Sequence, residues 1–424
     1  MKKITATLGS RMALAAALGG LCLACTQPGE PPPEPCHGAP TVPAGLVATA
    51  KTSRGVTLSW EASTSAANCT TDYIVSRGDG SLNTRVSGTS ATIRGLRADT
   101  TYSFSVSATN SYSPSPQSPS ISVTTDPAPA ARMEIRTWVP PYGQSVWKAA
   151  LEANTGGAYH PKNTLTSVAA QFFHIQSNGA VFLDGVSSSD VTWTSDYCYS
   201  NGIKFLVCIT NYNSNLAHPD FDWTLATSAF GPNRDALISS ILSAVETWSA
   251  DGVNIDFEGY VDEATEASTR TAFKSFIQEL GTQLHSLGKE LTVAVYPYIW
   301  NAPNMNAIGD WVGYVDGIDS MGYDGLYGGP GPSEWNAYKW QQDKALAAGY
   351  KSHQFDMGMP GWLGTWGQGG LGTTVLNHLS ELQSGKYNTK PTSICIWDAQ
   401  FNGSGWLDAE VWAGLHAIRT TPIQ

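Results

Sequence analysis

The sequence predicts a multidomain chain in which a (β/α)8 TIM barrel is preceded by a small all-β sandwich. Three observations carry this expectation. Eight apolar, strand-like runs alternate with amphipathic helices between residues 133 and 420. Short strands of alternating polarity, separated by turn residues, fill residues 45–125. Two proline-rich stretches, "TQPGEPPPEPCHGAP" and "DPAPAA", bracket that smaller region. A chain of 424 residues is also too long for one ordinary domain. The strand count alone fits an open, doubly wound sheet as well, so closure is left for the structure to decide.

Residues 1–24 have the pattern of an export signal. Lys2, Lys3 and Arg11 precede an apolar segment from Met12 to Leu23, and "LCLAC" follows. The segment resembles a bacterial lipoprotein signal, which implies a lipid on Cys25 and a membrane tether through it. Cys22 stands where that pattern usually has Leu or Val, so free secretion is the alternative. Residues 25–41 then form a stiff, extended linker.

The sandwich is expected over residues 42–126. "GVTLSWE" puts Val56, Leu58 and Trp60 on one face, and "TYSFSVSAT" does the same with Tyr102, Phe104 and Val106. With Trp60 early, Leu96 in "GLRADTTYSFSV" and Tyr102 opening the next strand, the region resembles a fibronectin type III domain. Arg77, Gly78 and Asp79 spell "RGD" here. Asp79 and Gly80 also suit a hairpin turn, which is the favoured reading over receptor binding. Of seven cysteines, Cys36 and Cys69 flank the start of this domain and are disulfide candidates in an exported chain. Cys208 and Cys395 lie inside apolar runs and are expected as buried thiols.

The barrel is expected over residues 132–424. Its strands are "EIRTWVPPY", "SVAAQFFHI", "KFLVCITN", "GVNIDFEG", "LTVAVYPY", "GIDSMGYD", "HQFDMGMP" and "SICIWDAQ". Residues 235–249 set Leu237, Ile238, Ile241, Leu242, Val245 and Trp248 on one helix face. Residues 268–287 do so with Phe273, Phe276, Ile277, Leu280, Leu284 and Leu287.

The stretch "DGVNIDFEG", residues 251–259, concentrates the chemistry. Alternation in a strand turns Asn254, Asp256 and Glu258 into the barrel and Val253, Ile255 and Phe257 toward the helices. Acids at the carboxyl end of a barrel strand lie where this fold places active sites. A negative Asp256 near Glu258 would disfavour ionisation of Glu258, which is what a general acid requires.

At these residues the sequence resembles glycoside hydrolase family 18, the chitinases and their relatives. The family pattern Asp-x-x-Asp-x-Asp-x-Glu falls on Asp251, Asn254, Asp256 and Glu258. "SMGYD" matches its sixth-strand Met-x-Tyr-Asp through Met321, Tyr323 and Asp324, "MGMPGW" its seventh strand, and "ICIWD" its eighth-strand Trp as Trp397. The resemblance implies retaining hydrolysis in which the substrate supplies the nucleophile. Glu258 would be the general acid and base, Asp256 would orient the 2-acetamido group, and Tyr323 would hydrogen-bond to it. Trp397 would floor the sugar site, with Asp251, Met321, Asp324 and Tyr296 completing the substrate contacts.

One departure is Asn254, where many chitinases have Asp. Its amide is expected to donate to Asp256 and keep it ionised. The combination of "NGIKFLVCITN", "DGVNIDFEG" and "LTVAV" also looks like the branch that cleaves peptidoglycan as N-acetylglucosaminidases. The short segment between the seventh and eighth strands predicts an open cleft and internal cutting. Trp300, Trp362, Trp366 and Trp406 could stack on further sugars.

Composition narrows the partners. Charged residues are 14% of the chain, against roughly 25% in an average protein, which suits a neutral polymer such as an N-acetylglucosamine-containing polysaccharide. The net charge of −11 comes with no basic patch, so nucleic acid is not expected. No cysteine or histidine spacing resembles a zinc site, no metal or cofactor is expected, and the chain is read as a monomer. A catalytically silent, lectin-like barrel and an adhesin are the competing functions.

Overall fold

The computed structural model describes residues 36–80, 82–127, 133–153, 160–260, 265–296, 303–321, 334–360, 393–398 and 409–420. The amino-terminal unit has seven strands: β1 (Val47–Lys51), β2 (Gly55–Ser59), β3 (Asp72–Arg77), β4 (Asn83–Val86), β5 (Ser90–Arg94), β6 (Thr101–Thr109) and β7 (Ile121–Thr124). They form two antiparallel sheets, β1-β2-β5 and β4-β3-β6-β7. Their inward residues, among them Val56, Leu58, Trp60, Val75, Phe104 and Val106, make one buried core. The Tyr102 hydroxyl accepts the Arg97 amide at 2.9 Å, the tyrosine corner of such sandwiches. Cys36 and Cys69 are joined as a disulfide. The "RGD" segment is a turn between β3 and β4: Gly80 donates to the Arg77 carbonyl at 2.9 Å with φ +80°, and Arg77 pairs with Asp79 at 2.9 Å.

The larger unit contains β8 (Ile135–Val139), β9 (Ser167–Ile175), β10 (Val181–Leu183), β11 (Lys204–Thr210), β12 (Tyr212–Asn213), β13 (Asp220–Phe221), β14 (Gly252–Asp256), β15 (Glu290–Val295), β16 (Gly317–Ser320), β17 (Phe355–Pro360) and β18 (Ser393–Trp397). The parallel order β8-β9-β11-β14-β15-β16-β17-β18 returns to β8, because β18 pairs with β8 and β8 with β9. An open, doubly wound sheet is thereby excluded. β10 adds to β9 as an antiparallel hairpin, and β12 pairs with β13 in a small ribbon.

Among the described residues the helices are α1 (Gln144–Glu152), α2 (Pro161–Thr164), α3 (Ser188–Ser200), α4 (Trp223–Phe230), α5 (Arg234–Thr247), α6 (Glu266–Ser286), α7 (Glu334–Ala348) and α8 (Ala409–Thr420). Leu237, Ile238, Ile241 and Val245 of α5 are buried, as are Phe273, Phe276, Ile277, Leu280 and Leu284 of α6. Phe257 leaves β14 on the helix side and stacks on Phe276, with centroids 6.1 Å apart. Leu287, expected on the buried face of α6, is exposed instead, because the helix ends at Ser286 and Leu287 caps it.

The sandwich docks on the amino-terminal end of the barrel. Arg54 pairs with Asp251 at 2.6 Å and reaches the Ile203 carbonyl. Lys289 donates to the Gly95 and Ala250 carbonyls at 2.7 and 2.6 Å, and Arg97 to that of His285 at 2.6 Å. Arg94 pairs with Asp196 and lies over the Tyr199 ring. Ile203, Asp251 and Lys289 each directly precede a barrel strand, so these contacts lie at the end opposite the strand carboxyl termini. Within the barrel, Arg136 is buried and pairs with Asp319 and, at 2.6 Å, with Asp356. Burial alone would weaken the guanidinium's hold on its proton, but Asp319 and Asp356 outweigh it and raise the pKa.

Candidate active site

The site grows from β14, whose five residues are all buried. Alternation turns Asn254 and Asp256 inward as expected. Asn254 uses its whole amide: Oδ1 accepts from Trp138 Nε1 at 2.9 Å and Cys208 Sγ at 3.1 Å, while Nδ2 donates to Thr292 Oγ1 at 2.8 Å and Asp319 Oδ2 at 2.7 Å. The expectation that Asn254 donates to Asp256 is therefore corrected. That donor is Gln171 of β9, whose Nε2 lies 2.6 Å from Asp256 Oδ2. Burial pushes Asp256 up to about 6, with the Gln171 hydrogen bond opposing it.

Past Asp256 the chain leaves the strand. Asn211 holds the backbone of Glu258 from both sides, accepting its amide at 2.8 Å and donating to its carbonyl at 2.7 Å. Gly259 follows with φ +140°, a conformation L side chains rarely adopt. Glu258 is half-buried, and one of its carboxylate oxygens accepts the hydroxyl of Tyr296, the residue that follows β15. Across the barrel mouth, Trp397 closes β18 half-buried, with the Trp138 ring edge-on at 6.0 Å. Met321 is buried just after β16, its amide donating to the Val295 carbonyl at 2.9 Å.

The structure thus brings Asp256, Glu258 and Tyr296 together at the carboxyl end of the barrel, with Trp397 and Met321 on the same end. It does not bring Asp251 there. Asp251 precedes β14, and its Oδ2 accepts from Arg54 at 2.6 Å and from the Phe205 amide at 2.9 Å. At about 3.3 Å per residue, it sits roughly 17 Å from Asp256 along the strand. The expectation that Asp251 contacts substrate is corrected: it anchors the sandwich. Tyr323, Asp324, Cys25, Trp300, Trp362, Trp366 and Trp406 lie outside the described residues, as does the segment behind the open-cleft expectation.

Sequence reasoning missed four residues: Gln171, Asn211, Trp138 and Asp319. Gln171 had a signal, as the only amide in the otherwise apolar "VAAQFF". The others needed the closed barrel, since their partners come from distant strands.

A closed parallel barrel with an acid pair at the end of its fourth strand, carried behind an antiparallel sandwich, defines the class as a modular protein built on a TIM barrel. The fibronectin type III domain profile matches residues 38–124, and that of glycosyl hydrolases family 18 matches residues 144–392, more than half of the chain. The chain belongs to glycosyl hydrolases family 18. It is 30% identical over 238 residues to chitinase Chi52 of Paenibacillus xylanexedens, covering 54% of this chain and 42% of that one. It is 51% identical over 70 residues to chitinase A1 of Niallia circulans, covering 16% of this chain and 10% of that one. The chain therefore spans less than half the length of these curated relatives. The crystal structure of a chitinase from Chromobacterium violaceum superposes with a TM-score of 0.51 at 18% identity, over 68% of this chain and 99% of that one, which shows the shared fold.

Proposed function

We propose that the protein hydrolyses β-1,4-linked N-acetylglucosamine glycans, chitin or its oligosaccharides, by a retaining reaction in which the substrate supplies the nucleophile. The supporting observation is the Asp256–Glu258–Tyr296 arrangement at the carboxyl end of the barrel, with Gln171 on the Asp256 carboxylate, Asn211 on the Glu258 backbone and Tyr296 on the Glu258 carboxylate. Glu258 donates its proton to the glycosidic oxygen as the bond to the anomeric carbon breaks. The carbonyl oxygen of the 2-acetamido group attacks that carbon, and Asp256 accepts the acetamido N–H and balances the developing positive charge. Water then opens the cyclic intermediate while Glu258 takes its proton back.

By resemblance, Tyr323 adds a hydrogen bond to the acetamido group, Trp397 floors the sugar, and Met321 and Asp324 line the pocket. Export of the chain, with a lipid on Cys25, belongs to the same proposal, and the Cys36–Cys69 disulfide supports an oxidising compartment. Glu258→Gln is expected to abolish release of new reducing ends from chitin oligomers while oligomers still bind. Turnover retained by that variant refutes the assignment. Running the wild type on peptidoglycan alongside chitin separates the N-acetylglucosaminidase alternative, and binding to both without turnover identifies a lectin-like barrel.

A further inference from the structure

Asn254 and Asp319 lie on different strands, both without any exposure, with Nδ2 of one 2.7 Å from Oδ2 of the other. Each is fully committed elsewhere. The other Asp319 oxygen pairs with Arg136, which also binds Asp356. Asn254 Oδ1 receives the Trp138 indole N–H, and that ring packs edge-on against Trp397. Resting on the reaction proposed above, we infer that Asn254 and Asp319 act as one positioning unit: β16 supplies the carboxylate and β14 the amide. This division holds Trp138 beside Trp397 and keeps a second charge off the strand that carries Asp256.

The chemistry follows from the donors and acceptors. An aspartate at 254 would face Asp319 at hydrogen-bond distance with no proton between them, and two carboxylates so placed cannot both ionise. An asparagine at 319 alone, with its oxygen kept on Arg136, would set one NH2 against another. With every carboxylate ionised, only the reciprocal exchange satisfies every atom, and N254D is otherwise forced to hold a proton at the pair. The amide then placed at position 319 would accept from Arg136 and donate to the carboxylate at position 254. That carboxylate would still accept from Trp138, Cys208 and the Thr292 hydroxyl. The charged and titratable groups around the pair are Arg136 on β8 with Glu134 before it, Asp356 on β17, Glu290 on β15 at 3.8 Å from Arg136, the Cys208 and Cys395 thiols on β11 and β18, and Asp256 two residues along β14 with Glu258 beyond it.

The test compares N254D, D319N and N254D/D319N with wild type, following chitooligosaccharide hydrolysis across pH and thermal unfolding. Each single variant should lose about tenfold or more in kcat, because it leaves a buried charge or amide uncompensated. The double variant should recover to within about threefold of wild type, as coupled neighbours do. Its acid limb should nonetheless remain displaced to higher pH, since the negative charge now sits on the strand of Asp256. A purely structural pair would restore rate and pH profile together. Losses that simply add in the double variant, or an unmoved acid limb, overturn the inference. If both singles fail to fold, the double decides: folded and active on this reading, unfolded against it. The unfolding midpoints report the coupling even if no substrate is turned over, so failure of the proposed reaction is distinguishable.

Discussion

Gln171 on β9 and Asp256 on β14 meet across the intervening strand β11, their side chains joined at 2.6 Å inside the barrel. Among the described residues the amide favours ionisation of an acid whose burial opposes it. Gln171→Leu should therefore raise the Asp256 pKa beyond about 6. A hydrogen bond to a charged group contributes about 1.5–3 kcal/mol, so the acid limb of kcat should move up by about one to two pH units, with a loss of about two- to tenfold at neutrality. A pH–rate profile on a chitin oligomer checks it.

Asp256 also predicts a conflict between stability and function. Its folded-state pKa lies above the ordinary 3.8, at about 6, so the folded protein binds that proton more tightly than the unfolded chain. Stability then falls as pH rises through this window, by at most about 3 kcal/mol, at about 1.4 kcal/mol for each tenfold change in proton affinity. Asp256→Asn should raise the unfolding midpoint at neutral pH, show no such gain below the window, and lose activity by about a hundredfold or more. Calorimetry at two pH values, paired with kinetics, reads both effects.

Tyr296→Phe removes the hydroxyl that holds the Glu258 carboxylate while keeping the ring, which is almost fully buried. The expected result is a fall in kcat of about tenfold, with KM within about twofold of wild type, because the contact orients the acid rather than the sugar. Steady-state kinetics would show it, and a KM change without a kcat change would contradict it.

Arg54→Ala tests the opposite end of the barrel. It strips Asp251 of its cation at a site where both side chains are mostly buried. Stability should drop by about 1–3 kcal/mol, with kcat and KM unaltered. Denaturant unfolding together with an activity assay separates this anchoring role from substrate contact.

The eight barrel strands were legible because each is an apolar run long enough to cross a barrel wall, and the sandwich strands because their polarity alternates. The inward turn of Asn254 and Asp256 followed from the same period of two. Asp251 was misplaced because a motif is linear, while a five-residue strand separates its two ends by most of the barrel's height. Asn254's partners were hidden for another reason. Thr292 and Asp319 are 38 and 65 residues away, and only ring closure determines which strand faces which. Sequence spacing likewise carries no sign that Arg54 would find Asp251, since domain docking depends on surfaces rather than periodicity.

The docking geometry sets the direction in which the molecule works. Strand β1 runs toward the barrel, its far turn carrying Arg54, while the Cys36–Cys69 bridge ties the incoming chain at the remote end of the sandwich. The small domain is thus a pedestal under the barrel, with Asp256 and Glu258 at the end remote from it. On the function proposed above, the described part of the small domain does not stand between an incoming glycan and the two acids.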